Sequence, residues 1–207
     1  MNRYPNTDHG ALRTAIGEVH KIDADRIICG VGSDEIIHFL CQAYAGPKDE
    51  VVYTEHGFLM YRISAMAAGA TPVEVPERER TTDVDAILRA CNRRTKLVFI
   101  ANPNNPTGTF VPGAELEAFL AHVPQDVLVV LDEAYIEYAE GDELPDGLQY
   151  LARYENLLVS RTFSKAYGLA SLRVGYALSS AQIADVLNRV RQPFNVNSLA
   201  LAAACAA

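Results

Sequence analysis

Short apolar runs alternate with longer segments of helical period along most of the 207 residues. The apolar runs have the length of strands, and the longer segments repeat apolar positions every three to four residues. Strands that alternate with helices at this spacing indicate βαβ units and a mostly parallel sheet with helices on both faces. The pattern therefore predicts an α/β fold of three layers, α/β/α. The predicted strands are residues 26–29, 50–53, 71–75, 96–101, 127–131, 156–160 and 173–178.

Segments of helical period follow most of these runs. The predicted helices are residues 34–45, 58–68, 84–91, 113–122, 148–153 and 182–191, with an alanine-rich helix from about residue 198 onwards. Only a short loop separates strand 156–160 from strand 173–178, whereas a parallel crossover needs a dozen or more residues. We therefore expect one antiparallel strand, at 173–178.

The composition is that of a chain that can bury a sizeable core, with 49% hydrophobic and 21% charged residues. A net charge of −8 without a lysine or arginine cluster argues against nucleic acid or an anionic membrane surface as a partner. The sequence contains no apolar run of roughly 20 residues, and the first five residues lack the apolar segment of a signal peptide. A cytoplasmic location is the expectation.

The cysteines and histidines show no pattern of metal ligands. The cysteines are Cys29, Cys41, Cys91 and Cys205. No two of them form a C-x-x-C pair, and each lies among aliphatic residues, so we expect buried free thiols. The five histidines are scattered along the chain. We expect no metal site.

Chemically useful side chains follow the predicted strands. In open α/β sheets ligands bind beyond the carboxyl ends of the strands, so these side chains are expected to meet. The segment 160–165 contains Thr162, Ser164 and Lys165, and Arg173 follows eight residues later. A phosphorylated aldehyde cofactor needs a lysine for a Schiff base, and hydroxyls and a guanidinium for the phosphate. This segment supplies all of these groups.

A second candidate anion site lies at residues 30–35, where Gly30-Val31-Gly32-Ser33-Asp34-Glu35 follows the first strand and opens a helix. Glycines permit close approach, and free backbone N–H groups with the helix dipole favour an anion. The alternative is an ordinary helix start capped by Ser33 or Asp34.

Asp132 directly follows the apolar run 127–131, at the mouth of a buried strand. A carboxylate there needs a partner, and a protonated pyridine nitrogen is a good one. A salt bridge to a local arginine or a metal is the alternative. Tyr135 and Asn105 could bond a phenolic oxygen of the same ring, or serve only in packing and in a turn. Phe58, after the second strand, could stack on the ring or belong to the core.

Together these segments resemble a known family. The segments are Arg3-Tyr4-Pro5, Gly32-Ser33-Asp34-Glu35, Asn104-Asn105-Pro106-Thr107-Gly108, Asp132-Glu133-Ala134-Tyr135 and Arg161-Thr162-Phe163-Ser164-Lys165-Ala166, with Arg173 beyond them. The series resembles the motifs of the fold-type I pyridoxal-phosphate aminotransferases. Within that group, its residues are most similar to those of the histidinol-phosphate aminotransferases. The resemblance covers nearly all 207 residues.

The resemblance implies a role for each residue in binding pyridoxal 5'-phosphate. Lys165 would carry the cofactor as a Schiff base and move a proton during the reaction, and Asp132 would hold the pyridinium. Tyr135 and Asn105 would bond the phenolic oxygen, and Phe58 would stack on the ring. The residues of the phosphate site would be Ser33, Asp34, Thr162, Ser164 and Arg173.

The resemblance also implies how the chain is organised. Tyr4 matches a tyrosine that, in this family, reaches the phosphate of the partner subunit's cofactor, which implies a homodimer. Residues 1–207 would form the large, cofactor-binding domain, because the N-terminal arm and the C-terminal small domain with its arginine for the substrate carboxylate have no counterpart here. The alanine-rich helix still runs near Ala207, which favours a piece of a longer protein, with a fraying terminal helix as the alternative.

The implied reaction is transamination between histidinol phosphate and 2-oxoglutarate, a step of histidine biosynthesis. An aromatic amino acid aminotransferase and a threonine-phosphate decarboxylase share many of these motifs and remain alternatives. A truncated chain that binds cofactor or a partner without turnover is a further one. A dinucleotide-binding domain would need a third glycine, which the segment 30–35 lacks.

Overall fold

The computed structural model describes residues 2–139 and 144–207. These residues include seven strands and seven α-helices. The strands are β1 (Ile27–Gly30), β2 (Glu50–Thr54), β3 (Thr71–Val75), β4 (Thr95–Ala101), β5 (Leu128–Asp132), β6 (Leu157–Thr162) and β7 (Gly175–Leu178). The α-helices are α1 (Gly10–His20), α2 (Gly32–Tyr44), α3 (Leu59–Ala67), α4 (Val84–Ala90), α5 (Gly113–His122), α6 (Ala181–Val190) and α7 (Ser198–Ala206). All seven predicted strands are present, with ends that differ by one or two residues.

One helix was missed and one helix prediction was wrong. Helix α1 is absent from the predicted elements, and the predicted helix 148–153 is a 3₁₀ turn, Gly147–Tyr150. Side chains use the first backbone donors of that turn: Gly147 N–H donates to Glu133 Oε1 at 2.6 Å, and Leu148 N–H donates to Asp146 Oδ1 at 2.8 Å. The backbone bonds of the turn then join residues three apart, as from Leu151 N–H to the Leu148 carbonyl at 3.2 Å, so the segment is a 3₁₀ turn where the apolar pattern indicated an α-helix.

The strands form one sheet in the order β1-β7-β6-β5-β4-β2-β3. Strands β2 to β6 are parallel, and β7 runs antiparallel to both of its neighbours, which confirms the expected exception. Strand β1, antiparallel to β7, therefore points the same way as β6. The carboxyl ends of β1, β2, β4, β5 and β6 and the amino end of β7 consequently meet at one edge of the sheet.

Helices cover both faces of the sheet, and alternate strand residues supply the two cores. Val129 and Val159 pack into the core that contains residues of α1, α4, α5 and α7. Val130 and Leu158 pack into the core that contains residues of α2, α3 and α6. This is the predicted three-layer architecture. Within residues 2–139 and 144–207, no helix is both long enough and apolar enough to cross a membrane.

The prediction of buried thiols was only partly right. Cys29 and Cys41 are buried, Cys91 is half-buried and Cys205 is exposed. Helix α7 buries Ala200 and Ala204. Because successive helical residues are rotated by about 100°, Cys205 points away from that buried stripe.

Gly175, at the start of β7, permits a close approach between this strand and the start of α2. A Cβ atom at residue 175 would lie 2.6 Å from Ser33 N and 2.7 Å from the Gly32 carbonyl carbon. Since these are backbone atoms, the start of α2 would have to shift. We expect Gly175→Ala to lower the free energy of unfolding by about 1–3 kcal/mol, the usual cost of overpacking.

Urea denaturation followed by circular dichroism measures this change. Gly46→Ala is the matched control, because the nearest atom to a Cβ there is Asp49 Oδ2 at 3.9 Å. Its stability should stay close to that of the wild type. Equal stability of the Gly175→Ala protein and the control would contradict this account of the contact.

Candidate active site

A cavity opens at the sheet edge where the carboxyl ends of the strands meet. Ten of the eleven predicted site residues line it, although they come from six separate segments of the chain. They are Ser33, Asp34, Phe58, Asn105, Asp132, Tyr135, Thr162, Ser164, Lys165 and Arg173. The fold thus brings together the side chains that the sequence analysis selected.

One end of the cavity is suited to an anion. Helix α2 begins at Gly32, so the N–H groups of its first turn, including those of Ser33 and Asp34, have no partner within the helix. The Arg173 guanidinium lies beside them: Nη1 donates to Ser164 Oγ at 3.1 Å, and Nη2 donates to Asp34 Oδ2 at 3.0 Å. A guanidinium, a hydroxyl and a helix N-terminus therefore converge.

Glycine at position 32 allows Arg173 to lie against the backbone of this helix start. Gly32 has a φ of 75°, and a Cβ there would lie 2.5 Å from Arg173 Nη2. The cradle thus exists only because residue 32 lacks a side chain. The alternative of a helix capped by Ser33 or Asp34 was wrong, because Val31 occupies the cap position and both residues lie inside the first turn.

Asp132 lies at the end of β5 and is only 4% exposed. Burial raises the pKa of its carboxyl, whereas hydrogen bonds from hydroxyl groups lower it. The nearby arginines pair elsewhere, Arg161 with Glu133 and Arg173 with Asp34, so the alternative of a salt bridge to a local arginine was wrong. The carboxylate faces the cavity, where a bound cation would balance its charge.

The sequence analysis missed two hydroxyl donors to this carboxylate. Tyr61 Oη donates to Asp132 Oδ2 at 2.8 Å, and Ser160 Oγ donates to Oδ1 at 3.2 Å. Tyr61 follows the predicted Phe58 by three residues: Phe58 caps α3, Tyr61 lies in its first turn, and Tyr61 N–H donates to the Phe58 carbonyl at 3.0 Å. That spacing is the signal that could have identified Tyr61.

Lys165 and Tyr135 lie side by side in the cavity. The Lys165 Nζ is 5.2 Å from the centroid of the Tyr135 ring, and the lysine is exposed. A short turn positions it just beyond β6: Ser164 N–H donates to Thr162 Oγ1 at 3.1 Å, and Gly168 N–H donates to the Lys165 carbonyl at 2.9 Å. An accessible amine is therefore held next to a phenol.

Asn105 reaches the cavity from a loop that its own hydrogen bonds hold in place. Val111 N–H donates to Asn102 Oδ1 at 2.7 Å, and Asn104 Nδ2 donates to Thr107 Oγ1 at 2.9 Å. Gly108 N–H donates to the Asn104 carbonyl at 2.9 Å. The Asn105 amide is therefore presented by an ordered turn near Tyr135.

A buried ion pair lies directly behind the site. Arg161 donates through Nε and Nη2 to Glu133 Oε2, at 3.0 and 2.7 Å, and through Nη2 to Asp146 Oδ1 at 2.7 Å. Burial raises the pKa of Glu133 to about 7, against the opposing effect of Arg161. Glu133 directly follows Asp132, and Arg161 directly precedes Thr162. This pair, another feature the sequence analysis missed, therefore ties together the two strand ends that carry the site.

Tyr4 is the predicted residue that does not line the cavity of its own chain. It is 80% exposed, and its ring stacks on Phe194 with the centroids 4.6 Å apart. An exposed aromatic ring of this kind is available for contact with another molecule.

The fold brings together one group of possible metal ligands that the sequence analysis did not predict, because one of its members is distant from the other two in the sequence. Ligand atoms of Glu55, His56 and Glu77 lie within 4.8 Å of one another at a largely exposed position. The His56 Nδ1 is 2.9 Å from Glu77 Oε2, so a hydrogen-bonded pair accounts for this contact.

The cavity can hold a flat molecule that carries an anion at one end and a basic ring nitrogen at the other. The anion would meet Arg173 and the start of α2, and the nitrogen would meet the Asp132 carboxylate. Phe58 lines the cavity with its aromatic ring, and the Lys165 amine is free to react with a carbonyl group. The set of donors therefore fits a phosphorylated pyridine aldehyde.

Comparisons with known proteins agree with this chemistry. Residues 1–207 match the profile of the family described as aminotransferase class I and II. The chain is 63% identical over 207 residues to the histidinol-phosphate aminotransferase of Ruegeria sp. strain TM1040. It is 59% identical over 207 residues to histidinol-phosphate aminotransferase 2 of Pseudomonas aeruginosa.

A solved structure shows the same fold. The histidinol-phosphate aminotransferase of Sinorhizobium meliloti, in complex with pyridoxal 5'-phosphate, superposes with a TM-score of 0.93 at 32% identity. It covers 99% of this chain, which in turn covers 55% of that structure. The chain spans 57% of the Ruegeria protein and 56% of the Pseudomonas protein.

Proposed function

The chain belongs to the class I and II aminotransferases, and we propose that it forms the cofactor-binding part of a transaminase that acts on histidinol phosphate and 2-oxoglutarate. Such a reaction belongs to histidine biosynthesis. The family is pyridoxal-phosphate dependent, and the relatives named above are histidinol-phosphate aminotransferases. We further propose that residues 1–207 are the large domain of this enzyme.

The observation that carries the proposal is that Asp132 and Lys165 line one cavity with an anion cradle at its end. A carboxylate for a pyridinium and an amine for an aldehyde are the two groups that distinguish this cofactor site from a general phosphate site. The two residues are far apart along the chain, and the parallel strands β5 and β6 bring them together at adjacent strand ends.

The proposed phosphate site consists of the cradle described above. The Arg173 guanidinium would supply the positive charge, and the N–H groups of Ser33 and Asp34 would each donate to a phosphate oxygen. The hydroxyls of Thr162 and Ser164 would complete the set. This end would fix the position of the cofactor before any reaction occurs.

The remaining residues would orient the ring. Asp132 would accept a hydrogen bond from the protonated ring nitrogen, and Tyr135 and Asn105 would hydrogen-bond the phenolic oxygen. Phe58 would cover one ring face. When bound, pyridoxal phosphate supplies an electron sink for the α-carbon of the substrate. The Asp132 charge would favour that role by keeping the ring nitrogen protonated.

Lys165 would hold the cofactor covalently and then act as a general base. Its exposed amine would take up the proton that leaves the substrate α-carbon and would later return a proton. The centroid of the Tyr135 ring lies 5.2 Å from Lys165 Nζ. This tyrosine would help to position the amine.

We propose that the enzyme is a homodimer in the cytoplasm. The exposed Tyr4 ring would reach the phosphate site of the partner subunit, since it does not line the cavity of its own chain. The net charge of −8 gives no support for nucleic acid or an anionic membrane surface as a partner. The proposed partners are a small-molecule amino donor and a 2-oxo acid.

Steady-state assays with 2-oxoglutarate as acceptor test the substrate. We expect the whole enzyme of which these residues form the proposed cofactor-binding part to use histidinol phosphate with a kcat/KM far above that for phenylalanine. Faster turnover of phenylalanine would assign the protein to the aromatic aminotransferases. Release of carbon dioxide from threonine phosphate would indicate the decarboxylase activity instead.

Arg173→Gln should weaken cofactor binding without unfolding the protein. A hydrogen bond to a charged group contributes about 1.5–3 kcal/mol, so the dissociation constant of pyridoxal phosphate should rise by about 10- to 150-fold. Equilibrium dialysis after removal of bound cofactor measures it. Arg93→Gln removes the same charge from an exposed loop just before β4, at the opposite sheet edge, and should leave the constant unchanged. Equal constants for both variants would remove Arg173 from the phosphate site.

A further inference from the structure

We infer that Tyr61 is a positioning residue for the reaction: its hydroxyl holds the Asp132 carboxylate in the orientation and charge state that keep the cofactor's ring nitrogen protonated. The inference rests on the proposed function, because it concerns the same site. It adds a residue that lies outside the motifs from which the site was predicted.

The contact is short and fully enclosed. Tyr61 Oη donates to Asp132 Oδ2 at 2.8 Å, Tyr61 is 1% exposed and Asp132 is 4% exposed. Ser160 Oγ donates a hydrogen bond to the other carboxylate oxygen, Asp132 Oδ1, at 3.2 Å. With one donor on each oxygen, the carboxylate cannot rotate without breaking a buried hydrogen bond. Both Tyr61 and Asp132 line the candidate cofactor cavity.

The Tyr61 ring is itself fixed by packing. It stacks on Phe99 at a centroid distance of 4.7 Å and an interplanar angle of 8°. Phe58 meets it edge-on at 5.9 Å. Aromatic rings packed in this way have one available position, so the hydroxyl is presented to Asp132 before any ligand binds. The start of α3 therefore carries both the ring proposed to stack on the cofactor and the donor to its proposed counter-ion.

The hydroxyl also affects where the shared proton lies. Burial raises the pKa of Asp132, and the hydrogen bond from Tyr61 lowers it. A buried carboxylate that loses a donor becomes more basic and competes more strongly for the proton on the ring nitrogen. Tyr61 thus favours the proton on the nitrogen and the negative charge on Asp132.

Tyr61→Phe removes only the hydroxyl and keeps the stacked ring. The probe is pyridoxal phosphate labelled with ¹⁵N in its ring, because the ¹⁵N chemical shift distinguishes a protonated from an unprotonated pyridine nitrogen. We expect the wild-type protein to show the protonated value and Tyr61→Phe to move toward the unprotonated value. The dissociation constant of the cofactor should rise about tenfold.

Two further variants make the result specific. Tyr53→Phe removes a hydroxyl from another buried tyrosine, whose ring centroid is 6.4 Å from that of Tyr61, and should change neither measurement. In an Asp132→Asn background, Tyr61→Phe should cause no further change in the ¹⁵N shift, because its effect passes through the carboxylate.

Each outcome decides a different point. A wild-type ¹⁵N shift in Tyr61→Phe would overturn the role of Tyr61 while leaving the proposed function intact. Loss of folded structure in Tyr61→Phe but not in Tyr53→Phe would also overturn it, since the hydroxyl would then serve the fold. Failure of the wild-type protein to bind the labelled cofactor would overturn the proposed function together with this inference.

Discussion

Lys165→Ala should leave a folded protein that still binds pyridoxal phosphate but catalyses transamination at least about 10²–10⁴-fold more slowly. The side chain is exposed and lies beyond the end of β6, so its removal takes nothing from either core. The proposed phosphate cradle should stay in place, because the hydrogen bonds of Arg173 go to Ser164, Ala170 and Asp34. The covalent attachment and the proton transfer that we propose for Lys165 would be lost together.

Two measurements check this result. The absorption spectrum of the variant should show bound cofactor before dialysis and none after it, because the cofactor is not covalently attached. Steady-state assays with histidinol phosphate should show the loss of rate. Lys96→Ala is the control, because Lys96 lies at the start of β4, at the opposite sheet edge. A Lys165→Ala protein that keeps the absorbance of covalently attached cofactor would contradict the assignment.

Arg161→Met should lower the free energy of unfolding by about 3–5 kcal/mol, the cost of leaving a buried charge without its partner. Glu133 is fully buried and receives two hydrogen bonds from Arg161. The methionine fills a similar volume but donates nothing. Because Asp132 and Thr162 adjoin this pair, cofactor binding should weaken as well.

Urea denaturation in the absence of cofactor measures the loss of stability. Arg189→Met is the matched control, because Arg189 pairs with Asp185 on the exposed face of α6 and such pairs contribute at most about 1 kcal/mol. Equal effects of the two substitutions would show that the buried pair does not stabilise the strand ends.

The sequence predicted the sheet well because its strands are strongly apolar and its connections have characteristic lengths. The antiparallel direction of β7 followed from the short loop after β6. The meeting of Asp132 and Lys165 followed from the rule that ligands lie beyond the carboxyl ends of parallel strands. These predictions needed only local patterns and one rule of topology.

The features that the sequence did not predict depend on contacts between distant residues or on weak local patterns. Tyr61 and Asp132 are 71 residues apart, and the partners Glu133 and Arg161 are 28 apart. A buried tyrosine in a helix has the same sequence pattern whether or not its hydroxyl binds a carboxylate. Helix α1 contains Gly10 and Gly17, which weaken the helical pattern although Leu12 and Ile16 pack into the core.

Identification of the lysine that binds the cofactor tests the central claim most directly. The sequence contains four lysines, Lys21, Lys48, Lys96 and Lys165. Borohydride reduction of the protein with pyridoxal phosphate, followed by peptide mass spectrometry, should place the pyridoxyl label on Lys165 alone. A label on any other lysine, or a protein that reduction leaves unlabelled, would contradict the proposed site and with it the transaminase function.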